Sequence, residues 1–447
     1  MRPPTAPVAA LSRDRATLAY RAGARLAPAG SVLVIVIALT MAWAVAARPA
    51  SAGSAGSRAR GPARVAARQL PSASSRQWRL SAMRHYGAAD RASGFSAIVA
   101  PGPGSAWAFG GTNPGRASTP VALHWNGSSW RSSALPGGLD GFLGDASAPS
   151  ARDIWAVSYG AGYVLHWNGS RWQVARRWPH EHLLSSVTAL SPADVWVFGT
   201  STTGSHGMGT WHFNGRSWSR VRGLAGRIYR ASAVSARNIW AVAATRRGGY
   251  VEHYDGRAWQ RVPAAPAMAR ASLDDVLACS RRSVWVVGNR WARHGEGRLF
   301  LAHFDGRRWA VTSTSRTADT GRLAADGSGG IFVTADSSGS RTDALVGHLA
   351  GDADGHRRLT WSAVRGGLGS GVSDIAAVPR SGRVWLSGGY LTRTGGDAAV
   401  WSRVSIRAPR AGADQMELRR LAAPLQYPSW RQELALLLRP GTAAALA

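Results

Sequence analysis

The 447-residue chain has no lysine: all 54 residues in its Lys+Arg count are arginine. It has one cysteine, Cys279 in the apolar stretch "VLACS", so no internal disulfide can form and stability must come from packing. Acids are scarce, 24 against 54, and the formal charge is +30. Eleven of the arginines crowd residues 1–76, and those of the middle are scattered without the stripe that tracks a phosphate backbone. Nucleic acid is therefore not an expected partner, while weak attraction to acidic surface polymers fits the charge. No nucleophile elbow, zinc-binding helix motif or phosphate loop occurs, and no cofactor or metal is implied.

Long apolar runs are limited to one, "SVLVIVIALTMAWAVAA" at 31–47. Arg13, Arg15, Arg21 and Arg25 precede it, and Ala50-Ser51-Ala52 after it matches a cleavage pattern. A cleaved export signal and a short retained anchor both fit. Positive flanks stay in the cytoplasm, so either reading puts the rest outside: secreted, or on the extracellular face of the cell membrane. Only this segment is expected to touch the membrane. The resulting division is 1–52 signal or anchor, 53–75 flexible Ala/Ser/Gly/Arg linker, 76–405 folded region, and 406–447 a tail of unassigned structure.

Tryptophan is abundant, with 21 residues. The octapeptide "LHWNGSSW" (123–130) recurs as "LHWNGSRW", "WHFNGRSW", "EHYDGRAW" and "AHFDGRRW", with a worn copy around His348 and Trp361. Upstream of each runs a second signature, "SAWAFG" or "DIWAVS", centred on Trp107, Trp155, Trp196, Trp240, Trp285, Phe332 and Trp385. A third element is the alanine before each aromatic: Ala100, Ala148, Ala189, Ala233, Ala278, Ala325 and Ala377. Seven units of four short strands, with no helical stretch between them, predict an all-β, seven-bladed propeller of antiparallel blades. Alanine belongs near the axis and indole in the wedges between blades. Each Asn-Gly or Asp-Gly predicts a two-residue hairpin turn, pairing Trp125 with Ser128 and Leu123 with Trp130. The seventh unit lacks a fourth strand, and a stray match at Trp78 predicts that the N-terminal segment supplies it and closes the ring.

These units resemble the repeats of kelch and galactose-oxidase-type propellers: Gly110-Gly111 and Gly388-Gly389 match the glycine pair, and "HYDGRAW" matches the turn portion. Gly-x-x-Trp also resembles part of the Asp-box of sialidase-type propellers. Most units lack the second glycine, and the Asp-box serine is missing. The copper site of galactose oxidase is not carried over, because its Tyr–Cys crosslink has no counterpart here. Propellers host many unrelated activities, so the likeness concerns the fold.

Candidate sites are residues the repeat does not require. Seventeen tryptophans sit in repeat positions, whereas Trp178 and Trp291 lie in loops on the usual ligand face. There they would stack on a sugar or a partner's side chain, or else fold down onto their own blade. His180 and His182 lie beside Trp178 as potential ligand contacts, and alternation on a loop is weak ground for a metal site. The six repeat histidines, His124, His166, His212, His253, His303 and His348, read as structural, one per blade. Three residues before each strand-one alanine stand Ala97, Asp145, Ser186, Arg230, Asp275, Arg322 and Asp374. Asp145, Arg230, Asp275, Arg322 and Asp374 would ring the channel mouth, holding a polar ligand or forming ion pairs among themselves. The leading expectation is a monomeric, non-catalytic module binding an extracellular protein or glycan. The alternative is a carbohydrate-active hydrolase or lyase using the ring carboxylates, a chemistry that needs two of them about 5–10 Å apart.

Overall fold

In the computed structural model the described residues are 77–404, except 87–92, 113–117, 179–181, 202–208, 223, 225–226, 246–247, 269, 291–296, 337–342, 351–357, 367 and 393–394. They form seven four-stranded antiparallel sheets. In six of them the strands follow chain order: blade 1 at 93–132, blade 2 at 142–177, blade 3 at 182–221, blade 4 at 227–262, blade 5 at 272–317 and blade 6 at 323–364. Blade 7 takes Ser370–Ala377, Arg383–Thr392 and Gly395–Val404, and its outermost strand is Arg79–Arg84. The first strands of successive blades touch one another all the way round, blade 7 to blade 1 included, which closes the ring about an axis. A seven-bladed propeller with an N-terminal latch is what the repeat predicts.

The core is divided among the wedges. Each of seven hydrophobic clusters lies between two neighbouring blades. In four wedges the outer-strand tryptophan of one blade meets the second-strand aromatic of the blade before it edge to face. Trp172 stands 5.2 Å from Trp107 at 86°, and Trp130 stands 5.0 Å from Trp385 at 83°. That geometry puts the positive ring edge on the negative face, adding about 0.5–1.5 kcal/mol per pair to the area buried. Five of the strand-one alanines, Ala100, Ala148, Ala233, Ala278 and Ala377, are partly buried against these clusters, and Ala189 is a buried member of one. The first glycine of the pairs Gly110-Gly111 and Gly388-Gly389 has a steric cause: a Cβ on Gly110 or Gly388 would collide with the strand-one carbonyl of Gly94 or Gly371.

The hairpin differs from the two-residue turn read in the sequence. Trp125 pairs with Trp130 and His124 with Arg131, leaving a four-residue loop, Asn126 to Ser129. Asn126 Oδ1 accepts from the backbone N–H of both Ser128 and Ser129, at 3.0 and 2.9 Å. Only Gly127 takes a positive φ, 97°. The side-chain cap holds the turn without forcing Asn126 into a left-handed conformation, so a type I′ turn is not needed. The other four clear copies repeat this register and cap. Cys279 is also displaced from expectation: it lies exposed at the end of its strand.

The latch ties three segments. Leu80 pairs with Trp401 and Arg84 with Ala398. Trp78, buried, donates its Nε1 hydrogen to Ser362 Oγ of blade 6 at 2.9 Å. One short segment therefore completes blade 7 and packs against blade 6.

Candidate functional site around the axis

In a propeller the free edge of each first strand faces the axis, leaving backbone N–H groups to be satisfied. The ring residues do this from blade to blade. Asp145 Oδ2 of blade 2 accepts from Val187 N of blade 3, at 3.0 Å. Ser186 Oγ accepts from Ala231 N of blade 4 at 3.3 Å. Asp275 Oδ2 accepts from Leu323 N of blade 6 at 2.9 Å, and Asp374 Oδ2 accepts from Ile98 N of blade 1 at 2.9 Å. Arg230 has no acceptor to offer blade 5, and there Asp275 Oδ1 caps Val276 N itself, at 2.8 Å. One turn deeper, Ser147 and Ser232 make equivalent bonds to Ala189 N and Ala278 N.

The two arginines differ. Arg230 reaches past blade 3 to pair with Asp145, and both groups are nearly covered. Burial disfavours its charge, but Asp145, then Asp374 and Asp275, raise its pKa above the ordinary value. Arg322 makes no carboxylate ion pair among the described residues: its Nη1 donates to the carbonyls of Asp274 and Gly321, both at 3.2 Å. Its buried Nε has no partner. Burial, and then the charge of Arg230, push the Arg322 pKa down.

The acids are displaced the other way. Burial raises Asp374 to about 6 against the pull of Arg230 and Arg322, and raises Asp275 by the same cause. Asp274, which sequence reasoning passed over, is pushed up to about 8 by burial, with Arg322 opposing. It accepts from Asn289 Nδ2 at 2.5 Å and from Ser272 Oγ at 3.3 Å. At neutral pH this carboxyl is mostly protonated. The arrangement can hold a charge-bearing group by hydrogen bonds from Arg322. It is poorly disposed for general acid–base work, because both oxygens of Asp145 and of Asp275 already accept bonds from the protein.

The loop residues fall elsewhere. Trp178 is 5% exposed, packed against Trp211 and Trp218 at 5.5 Å each, with its backbone N–H on Gly162 O at 2.7 Å. Its ring is thus core between blades 2 and 3 instead of a platform for a ligand. Trp291 and His180 lie outside the described residues, as does the side chain of His182. Among the described residues no group of three or more His, Cys, Asp or Glu side chains is placed to hold a metal ion.

The six repeat histidines stack on the aromatic directly opposite in strand two, with centroids 4.1 to 4.4 Å apart. Sequence reasoning missed their partner, which in five of the six is the polar residue two before that aromatic and for His348 is Asp326. Asp153 Oδ1 accepts from both His166 Nε2 and Trp155 Nε1, at 2.8 Å each. Asp194 and Asn238 do the same for His212/Trp196 and His253/Trp240. The signal was visible as the first letter of "DIW", "DVW" and "NIW".

No family model matches the chain, and no curated protein does. Solved structures do. One is that of YCF48 bound to a D1 peptide, 14% identical, covering 75% of this chain and 97% of that one with a TM-score of 0.50. Another is a catalytically inactive virginiamycin B lyase from Staphylococcus aureus with quinupristin, 9% identical, covering 72% and 99% with a TM-score of 0.50. At such identities the likeness is one of architecture, and with the seven closed blades it identifies the fold as a seven-bladed β-propeller.

Proposed function

We propose that the chain is an exported or surface-anchored, kelch-like propeller that acts as a monomeric, non-catalytic binding module for an extracellular protein or glycan. The axial end of the channel is its ligand face. The observation that carries this reading is Arg322: a partly exposed cation at the axis that makes no carboxylate ion pair among the described residues, beside acids already engaged in joining blades. Such a guanidinium suits a carboxylate, a sulfate or a carbonyl-rich loop. The hydrolase alternative is weakened because Asp145 and Asp275 have both oxygens committed.

The test is a glycan array together with an extracellular peptide library, probed with the wild-type chain and with Arg322→Gln. Binding that falls at least tenfold in the variant supports the reading. Turnover of any glycan substrate that is lost in Asp275→Asn, with the fold intact by near-ultraviolet circular dichroism, would replace it with the hydrolase.

A further inference from the structure

The arginines that look scattered in the sequence are gathered by the topology. In a four-stranded meander the connection between strands one and two and the hairpin between strands three and four fall at the same end of the sheet. Every blade therefore presents these two turns on one face of the propeller. In blade 4 they carry Arg237 and Arg257, and in blade 5 Arg281, Arg282, Arg307 and Arg308, all exposed. The stem of Arg237 lies against the hairpin Gly256, and that of Arg282 against Gly306, so the two turns of each blade lie side by side. Phe304, which leads into the blade 5 hairpin, packs on Trp240 of blade 4 at 5.4 Å, just after that blade's first turn, so the turns of the two blades are neighbours and form one arc.

Acids on the arc are few and occupied. Asp255 Oδ1 caps the N–H groups of Arg257 and Ala258, and Asp305 Oδ1 caps those of Arg307 and Arg308. Arg308 sits 3.7 Å from Asp305, an exposed pair that neutralises little.

A second observation points the same way. Arg79 pairs with Ser402, which pairs with Trp385, close after the turn between strands one and two of blade 7. The chain therefore reaches the propeller at this same arginine-bearing end. The sequence before it holds the linker at 53–75 and the apolar run at 31–47. The axial ring lies toward the opposite end of strand one: Asp275 is nearer to Ser272 than to the turn that follows Ser280.

We infer that this end of the propeller docks on anionic phospholipid headgroups, so that the face carrying the axial ring is turned away from the bilayer. Positive charges near the surface are drawn to anionic headgroups, and an arc spanning two blades matches a flat array of headgroups better than one point ligand. The inference does not depend on what the axis binds.

The test uses the full chain in vesicles of phosphatidylcholine, alone or with about one-third phosphatidylglycerol. Cys279 is the only cysteine, exposed and two residues from Arg281, so it takes a fluorophore whose quenching by headgroup-labelled lipid reports docking. Quenching is expected with phosphatidylglycerol, weak without it, and diminished by salt over the range where the Debye length shrinks below about 10 Å. In Arg257→Gln/Arg281→Gln/Arg282→Gln/Arg307→Gln the ratio of docked to undocked protein should fall about a hundredfold or more. The same four positions changed to lysine should keep docking. Equal quenching on both vesicles, glutamine variants that dock like wild type, or lysine variants that fail as the glutamine ones do would each overturn the inference. Tight, arginine-dependent binding of free polyphosphate or DNA without vesicle docking would reassign the arc to a soluble polyanion.

Discussion

Asp145→Ala is the sharpest probe of the axial ring. The substitution removes the carboxylate that pairs with Arg230 and accepts from Val187 N, in a place where Asp145 is only 4% exposed. Stranding a buried arginine costs about 3–5 kcal/mol. Leaving the Val187 N–H without an acceptor costs about 1–3 kcal/mol more. The expected loss is therefore about 4–8 kcal/mol, comparable with the whole stability of an ordinary domain. Adding Arg230→Met removes the stranded charge and leaves only the amide unsatisfied. The double variant should then be less damaged than Asp145→Ala alone, at about 1–3 kcal/mol below wild type. Urea unfolding followed by tryptophan fluorescence measures all four corners of the cycle. A single-variant cost under about 1 kcal/mol, or a double variant equal to the sum of its singles, would show that Asp145 does not join the blades as argued.

Two further outcomes follow from the buried groups. Asp274, held at about 8, and Asp374, at about 6, keep protons that the unfolded chain releases near its ordinary value of 3.8. Stability should thus decline as pH rises from about 4, most steeply up to about 6 where both groups contribute, then more gently to about 8 where only Asp274 does, and Asp274→Asn should remove the decline between about 6 and 8 in urea titrations. In the seat that bonds His166 and Trp155, Asp153→Asn should cost under about 1 kcal/mol, since blade 4 uses Asn238 there, whereas Asp153→Ala should cost about 2–3 kcal/mol in the same assay.

The blade count and the latch were legible because they depend on a period and a missing strand, both carried by large aromatics such as Trp78 and Trp385. The ring positions were legible as a charge pattern at Asp145, Arg230 and Asp275. Their work was not, because a sequence does not reveal that the first strand's free edge faces the axis and that its amides must find acceptors. Turn detail failed for a local reason: Asn126 offers its side chain to two amides, which competes with the left-handed backbone a tight turn would require. Which of the two readings of Trp178 would hold was not legible, because chain position marked it as loop, while the wedge between two blades had room for an indole. The shared carboxylate of Asp153 escaped notice because its position varies in residue type: blade 4 has Asn238 there, and blades 1 and 5 have Ser105 and Ser283.

Closing blade 7 with the segment at Arg79–Arg84 also dictates an order of events. His85 and Asp397, joined by a 2.7 Å bond, are 312 residues apart, so the earliest strand synthesised waits for the last before it has a partner. Until then blades 1 to 6 can assemble by local hairpins, but the ring stays ajar with naked strand margins at either side of the gap. Every copy passes through this interval before its last strand arrives, with both margins open to pairing with another chain.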